Sequence, residues 1–386
     1  MRDVYIVSAV RTAIGKARRT LAQMDPVEMG VVVVKEAVAR AGVPGDKIED
    51  VVIGCAFPEA EQGMNMARCI SIGAGLPDTV PAMTINRFCS SGMESLALTA
   101  AKIQAGFLDV AITGGVETMS RIPMSGVKFA PSPMMTKEYC EVYTAMGTCG
   151  DNVARDFNIT REECDEWGLR SVENAVAAID AGKFKEQIVP LEVPTASGTI
   201  TFDTDEGPRR DTTLEGLKAL RLAFAGPGRK GVCTAGNSSQ MSDGASAVCL
   251  MTEEAAKEYG ATPMAKFLGY AAGAGSPSYL GPGQLMAIPK ALKIAGLKVE
   301  DLGLIENNEA FATQCLYVNR EMKFTNTDII NVNGGAIALG HPLGCTGSKL
   351  TTQIIHEMRA RGVKHGLVTM CIGGGMGAAG VFELCE

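Results

Sequence analysis

Histidine is scarce in this chain of 386 residues, with His341, His356 and His365 its only three. Its twelve cysteines include no CxxC pair. A zinc site built from closely spaced cysteine and histidine is therefore not expected. A basic surplus is also missing. The formal net charge is −7, which argues against a general nucleic-acid binder, whose affinity comes from displacing counterions with lysine and arginine. No apolar run approaches the roughly 20 residues that span a bilayer. The first eleven residues alternate as a strand and lack the basic region and apolar core of a signal peptide. Many thiols with no disulfide framework point to a reducing compartment. The expectation is a cytoplasmic protein with neither membrane nor nucleic acid as partner.

What is present is core-forming material. The chain is 46% hydrophobic and holds 45 glycines, too much for one ordinary core and rich in tight turns and close backbone approaches. An internal duplication organises it. Ala37 to Ile53 (AVARAGVPGDKIEDVVI) and Ala291 to Ile305 (ALKIAGLKVEDLGLI) share an apolar helix face, a glycine C-cap at Gly42 or Gly296, an acidic turn and a β-branched strand. Downstream, PAMTIN (Pro81 to Asn86) leads into CSSGMESLAL, and DIINVN (Asp328 to Asn333) leads through a glycine-rich turn into GCTGSKLTTQII. Each copy is read as a strand, a turn and a helix, followed by an apolar strand ending in glycines: DVAITGG and GLVTMCIGGG. Two copies imply two similar α/β halves, placed at 1–117 plus 242–265 and at 266–386. Ser242 to Met251 reads as a return strand of the first half. The segment 118–241, with Met- and Pro-rich loops and one amphipathic helix (Arg161 to Gly182), reads as an insertion over the junction.

Four residues in these turns can do chemistry. Cys89 follows a strand and opens a helix, where the positive end of the helix dipole favours a thiolate nucleophile. His341, in GGAIALGHPLGCTG, sits among glycines that let backbone approach a ligand, and is the general-base candidate. Cys371, in TMCIGGGMGAAG, ends a strand before glycines whose N–H groups can face an oxyanion. Asn308, in ENNEAFA, can position a water or donate to an oxyanion, and is equally readable as a helix N-cap. Glu309 reads as a complement to the helix dipole. His356 and His365 read as solvated. The remaining cysteines read as packing. Met134, Met135, Met146 and Met286 are candidates for an acyl or pantetheine channel, or for core filler.

The strings INRFCSSGMESL, GGVETMSR, TAGNSSQMSDGASA, NNEAFA, GGAIALGHPLGCTG and CIGGGMGAA, in that order, resemble the signature segments of the thiolase family, and the similarity covers essentially the whole chain. The resemblance implies the thiolase fold: two duplicated α/β halves in five layers, αβαβα, with the inserted loop domain 118–241 binding coenzyme A. It implies that Cys89 carries the acyl group as a thioester, that His341 activates it, and that Cys371 is the acid/base. Asn308 would hold a water in one oxyanion hole; the N–H groups of Cys89 and Gly373 would form the second. Ser239 and Met146 would lie near pantetheine, and Arg209 or Arg210 near the nucleotide. No bound cofactor or metal is implied; coenzyme A thioesters are the substrates, and a homodimer or homotetramer is the expected assembly.

Two departures bear on substrate. YTAMG places Ala145 where acetoacetyl-CoA-forming members often have histidine, which resembles the 3-ketoacyl-CoA thiolases. LGPGQLMAIPKAL departs from the usual GxGP-type string, which affects the acyl pocket. The resulting expectation is an acetyl-CoA C-acyltransferase. The alternatives are acetoacetyl-CoA synthesis as the main role, a ketoacyl synthase using an acyl carrier protein, and a non-catalytic acyl-CoA binder.

Overall fold

A computed structural model describes residues 2–224 and 231–385. Strand Ser242–Met251 is small or apolar along most of its length and buried at every position, so both its edges need partners. It finds them in Tyr5–Thr12 and Val110–Thr118, each antiparallel. Val51–Gly54 then lies parallel to Val110–Thr118, and Ala82–Ile85 lies parallel to it at the edge. The second copy repeats the order. Met376–Leu384 runs antiparallel between Ala265–Ala274 and His365–Ile372, and Leu304–Asn307 is parallel to His365–Ile372. A short antiparallel pairing, Tyr5 with Lys266 and Ile6 with Ala265, joins the two sheets at one corner.

Helices complete the layers. Pro26–Ala41, capped by Asp25 and by Gly42 at φ 66°, covers the outer face of the first sheet. Pro282–Ala295 covers that of the second. Ser91–Gln104 and Thr346–Arg361 pack on each other between the sheets. The two sheets and three helical levels make the five-layer αβαβα arrangement, with separate apolar cores on the two outer sides and one between the sheets.

Three expectations need correction. Asp328 to Asn333 is not a strand. Thr327–Ile329 is a 3-10 turn whose Asp328 N–H is taken by the Asn326 side chain, and Asn331 adopts φ 47°. The Asn331 amide replaces the ladder: its Oδ1 accepts from Asn307 N at 2.8 Å and its Nδ2 donates to Asn307 O at 2.8 Å, leaving a single bridge between Ile305 and Ile330. Segment 118–241 holds more than one helix. Met146–Phe157 was hidden by Gly147 and Gly150, which dilute a helical pattern. His356 and His365 are half-buried rather than solvated. The helix is buried between the sheets until its last turn, and His356 Nε2 lies 3.0 Å from the Ala9 carbonyl. His365 begins a strand, 3.3 Å from the Asp301 carbonyl.

The middle segment is tied into the first sheet by charge. Arg11 and Asp205 are both fully buried and form a two-pronged pair at 2.7 and 2.8 Å, with Asp205 also accepting from Ile14 N. Removing one member strands the other's charge away from water. Asp205→Ala is expected to lower the unfolding free energy by about 3–5 kcal/mol, read by urea denaturation.

Candidate active site

The reactive residues sit on turns where strands end and the two central helices begin. Glycine lets those helices touch. A Cβ on Gly92 would lie 2.8 Å from Ser348 N, and one on Gly347 would lie 2.2 Å from Met93 N. These two glycines hold corresponding places in the duplicated strings CSSG and GCTG. The close crossing brings the turn Phe88–Ser90 of the first half against Leu343–Cys345 of the second and against strand His365–Ile372.

Cys89 sits in a strained turn. Phe88 adopts φ 43°, which costs a non-glycine residue about 1–3 kcal/mol. The Asn86 side chain holds the turn by accepting from Phe88 N at 2.7 Å. Ser91 Oγ also holds it, accepting from Arg87 N at 2.9 Å and donating to Phe88 O at 2.7 Å. Cys89 is buried together with Ala56, Met119 and Leu343. Burial pushes its thiol up to about 12, partly offset by hydrogen bonds from the N–H groups of Gly373 and of Cys89 itself. Burial of the thiol therefore works against the thiolate that the helix N-terminus favours.

Cys371, 1% exposed, ends its strand facing the same point. Burial raises its thiol well above the ordinary range, and the charges that Cys89 and Cys149 would carry as thiolates raise it further. Gly373 follows two residues later, so one turn supplies both the second thiol and the N–H on the first.

His341 is buried, and its protonation pattern can be read from its partners. Thr346 Oγ donates to Pro342 O at 2.9 Å and lies 2.6 Å from His341 Nδ1. The hydroxyl has one proton, so Nδ1–H must be the donor to it, which leaves Nε2 unprotonated. Nε2 lies 3.4 Å from Asn308 Nδ2. Burial, and secondarily Lys349, lowers the imidazole pKa to about 3, so it is neutral and able to accept a proton. Thr346→Val removes the hydroxyl that fixes this tautomer. The expected result is a fall in kcat of about a hundredfold, near the lower end of what a positioned base contributes, with KM for coenzyme A little changed in steady-state assays.

Asn308 is not a helix cap, since the following helix is Ala312–Glu321 and its N-cap is Phe311. Asn308 N donates to Thr369 O at 2.9 Å. Its buried Oδ1 has no partner among the described residues, so an acceptor stands open to a small donor such as water. Glu309 does more than complement a dipole. It is fully buried and accepts from Trp167 Nε1, Ser171 Oγ, Asn331 Nδ2 and Ile337 N.

The residues expected to bind coenzyme A spread outward. Met146 is half-buried, and a Cβ on Gly373 would lie 3.6 Å from its Sδ, so it roofs the glycine turn. Ser239 donates its N–H to Ala310 O at 3.0 Å, beside the Asn308 segment. Arg209 is exposed, with its charge facing Lys16, while Arg210 pairs with Asp180 at 2.7 Å. Met134 and Met286 are exposed and take no part in the cores. Sequence reasoning missed Thr346 and Glu117. Thr346 was the more accessible, being a hydroxyl five residues after the histidine at the first position of a helix.

Comparison with known proteins agrees with this geometry. The family model for the thiolase N-terminal domain matches residues 4–254, and that for the thiolase C-terminal domain matches residues 261–384. The 3-ketoacyl-CoA thiolase of Bacillus subtilis is 50% identical, with 100% of each chain covered. Among solved structures, the Bacillus anthracis acetyl-CoA acetyltransferase superposes with a TM-score of 0.91 at 38% identity, covering 100% of this chain and 99% of that one. Human mitochondrial 3-ketoacyl-CoA thiolase superposes with a TM-score of 0.92 at 36% identity and the same coverage. Signature segments in order and a duplicated five-layer fold whose candidate residues lie on the turns at the helix crossing, taken with these matches, establish that the chain belongs to the thiolase family.

Proposed function

We propose that the chain is an acetyl-CoA C-acyltransferase that cleaves 3-ketoacyl-CoA with coenzyme A through an acyl group held on Cys89, and runs the reverse condensation at the same site. The observation that carries the reading is the Cys89 turn, which receives the Gly373 N–H, couples with the Cys371 thiol and packs against the turn that follows a neutral His341.

In cleavage, the Cys89 proton passes to His341 Nε2 as the sulfur attacks the C3 carbonyl. The C2–C3 bond breaks, and its electron pair leaves on acetyl-CoA as an enolate, which takes a proton at C2 from Cys371. The acyl group remains as a thioester on Cys89. Cys371, now a thiolate, takes the proton of incoming coenzyme A. The new thiolate attacks the thioester, acyl-CoA leaves, and His341 Nε2 returns its proton to the departing Cys89 sulfur, which restores the free site. Negative charge on oxygen develops twice, which calls for two sets of donors fixed beforehand. The N–H groups of Cys89 and Gly373 suit the acyl-enzyme step. A water on Asn308 Oδ1, with its second hydrogen directed at the thioester oxygen, suits the enolate.

Ala145, at the N-cap of helix Met146–Phe157, supports 3-ketoacyl-CoA cleavage over acetoacetyl-CoA synthesis as the main role. Ser239, Arg209 and Met146 are assigned to the coenzyme A channel and 118–241 to the loop domain. Among the described residues no helix is long and apolar enough to cross a membrane; a cytoplasmic homo-oligomer is part of the same proposal. Assay with coenzyme A and 3-ketoacyl-CoAs of increasing chain length tests the proposal. Thiolysis beyond acetoacetyl-CoA is expected, and absence of thiolysis at every length would remove both readings.

A further inference from the structure

Glu117 is 1% exposed, near the end of strand Val110–Thr118, and no step of the reaction uses it. Its carboxylate is enclosed by donors. Oε2 accepts from Ala56 N at 2.7 Å and from Gly344 N at 2.8 Å, and Oε1 accepts from Gln62 Nε2 at 2.7 Å. The Cys55 thiol points at Oε1 from 3.8 Å. Burial raises this carboxyl on balance, and the N–H donors offset part of that rise. With donors on both oxygens and no acceptor facing it, the group is in place as an anion.

The two N–H groups on Oε2 come from different halves of the molecule. Ala56 follows strand Val51–Gly54 of the first copy. Gly344 lies in the turn Leu343–Cys345 that links His341 to its helix in the second copy. Ala56 and Leu343 are two of the three residues packed around Cys89 in its buried cluster. The junction is too tight for a larger residue: a Cβ on Gly344 would lie 2.6 Å from Cys55 Cα and 2.7 Å from Glu117 Oε2. One oxygen atom thus fixes the wall of the Cys89 pocket to the turn carrying His341.

We propose that Glu117 is a positioning residue that clamps the two halves together at the nucleophile and, as a buried anion, opposes negative charge on Cys89. The second role follows from placement, since a buried anion near a thiol opposes a second anion there. Its field reaches Cys89, Cys55 and Cys345, the three thiols around it, and each is disfavoured as a thiolate by it. The inference rests on Cys89 as the acyl carrier, and the test separates the two.

Glu117→Asp keeps the charge but shortens the reach. Glu117→Gln keeps the reach, removes the charge and turns an N–H₂ toward existing donors. Thiolysis kinetics and the rate of Cys89 alkylation by iodoacetamide at about pH 8 are measured on both variants and on the wild-type chain. Both variants are expected to lose at least about tenfold in kcat, as misalignment of reacting groups does, with KM for coenzyme A held. Alkylation of the Asp variant should stay within about twofold of wild type, and that of the Gln variant should rise at least about threefold. A role confined to folding would lower the melting temperature without speeding alkylation. Wild-type kcat in either variant overturns the clamp, and no faster alkylation in the Gln variant overturns the charge role. If the Gln variant does not fold, the kcat and KM split in the Asp variant decides. Wild-type protein that still turns over after alkylation at Cys89 would overturn the acyl-carrier reading, and the clamp with it.

Discussion

Cys89→Ser is expected to lose thiolysis by at least about three orders of magnitude, the scale on which removal of a covalent nucleophile acts, while the protein remains folded. The side chain changes by one atom in a pocket that already excludes water. The chemistry changes far more, because a hydroxyl holds its proton much more tightly than a thiol. The free site has little capacity to compensate. Burial raises its thiol and lowers its imidazole, and both shifts disfavour a thiolate–imidazolium pair before substrate binds. Proton transfer must accompany attack, with the developing oxyanion held by the N–H groups of residues 89 and 373. The same shifts give a pH dependence. Alkylation of wild-type Cys89 should climb about tenfold per pH unit across the neutral range, without the plateau that a preformed ion pair would produce. Intact-mass measurement after incubation with acetyl-CoA checks the first result: one acetyl on the wild-type chain and none on the serine variant. A plateau near neutral pH would show the thiol to be already ionised.

The parts of the site that were legible in the sequence were those written in local chemistry. Glycine and serine after an apolar strand announce a turn into a helix, so Cys89, His341 and Cys371 could be placed on turns before any contact was known. The duplication then implied that these turns meet. What could not be read depends on tertiary environment. The direction of the Cys89 shift needed its burial, which no neighbouring residue in sequence reports. Asp328 to Asn333 has the apolar alternation of a strand, and only the Asn331 side chain, reaching across to Asn307, shows why the backbone does not pair. His356 sits among charged residues in sequence, yet its helix lies between two sheets and only the last turn beyond it reaches solvent. Glu117 reads as one acid in an apolar strand. Its role exists only because Gly344, more than two hundred residues away, presents an N–H to the same oxygen that holds Ala56.

Gly347→Ala sets two effects of opposite sign against each other. Alanine is the better helix former, by up to about 1 kcal/mol in a helix interior, and Gly347 is a residue of helix Thr346–Arg361. On propensity alone the substitution would stabilise. The added methyl, however, would stand 2.2 Å from Met93 N and 2.8 Å from Met93 Cβ. The first of these is backbone of the opposing helix and has no rotamer to escape into. The helices would have to part by more than an ångström in the most buried layer of the molecule. Overpacking of that kind costs about 1–3 kcal/mol or more, so it outweighs the propensity gain, and net destabilisation is expected. Activity should fall further than stability suggests. Met93 is on the helix that begins just after Cys89, and residue 347 is next to Thr346, which orients His341. A parting of the helices therefore displaces nucleophile and base relative to each other, and an ångström of misplacement can cost about a hundredfold in rate. Thermal unfolding and thiolysis measured on the same preparation check both halves of this result. A melting temperature at or above wild type with unchanged kcat would show that the helices separate freely, and that their close crossing does not hold the site together.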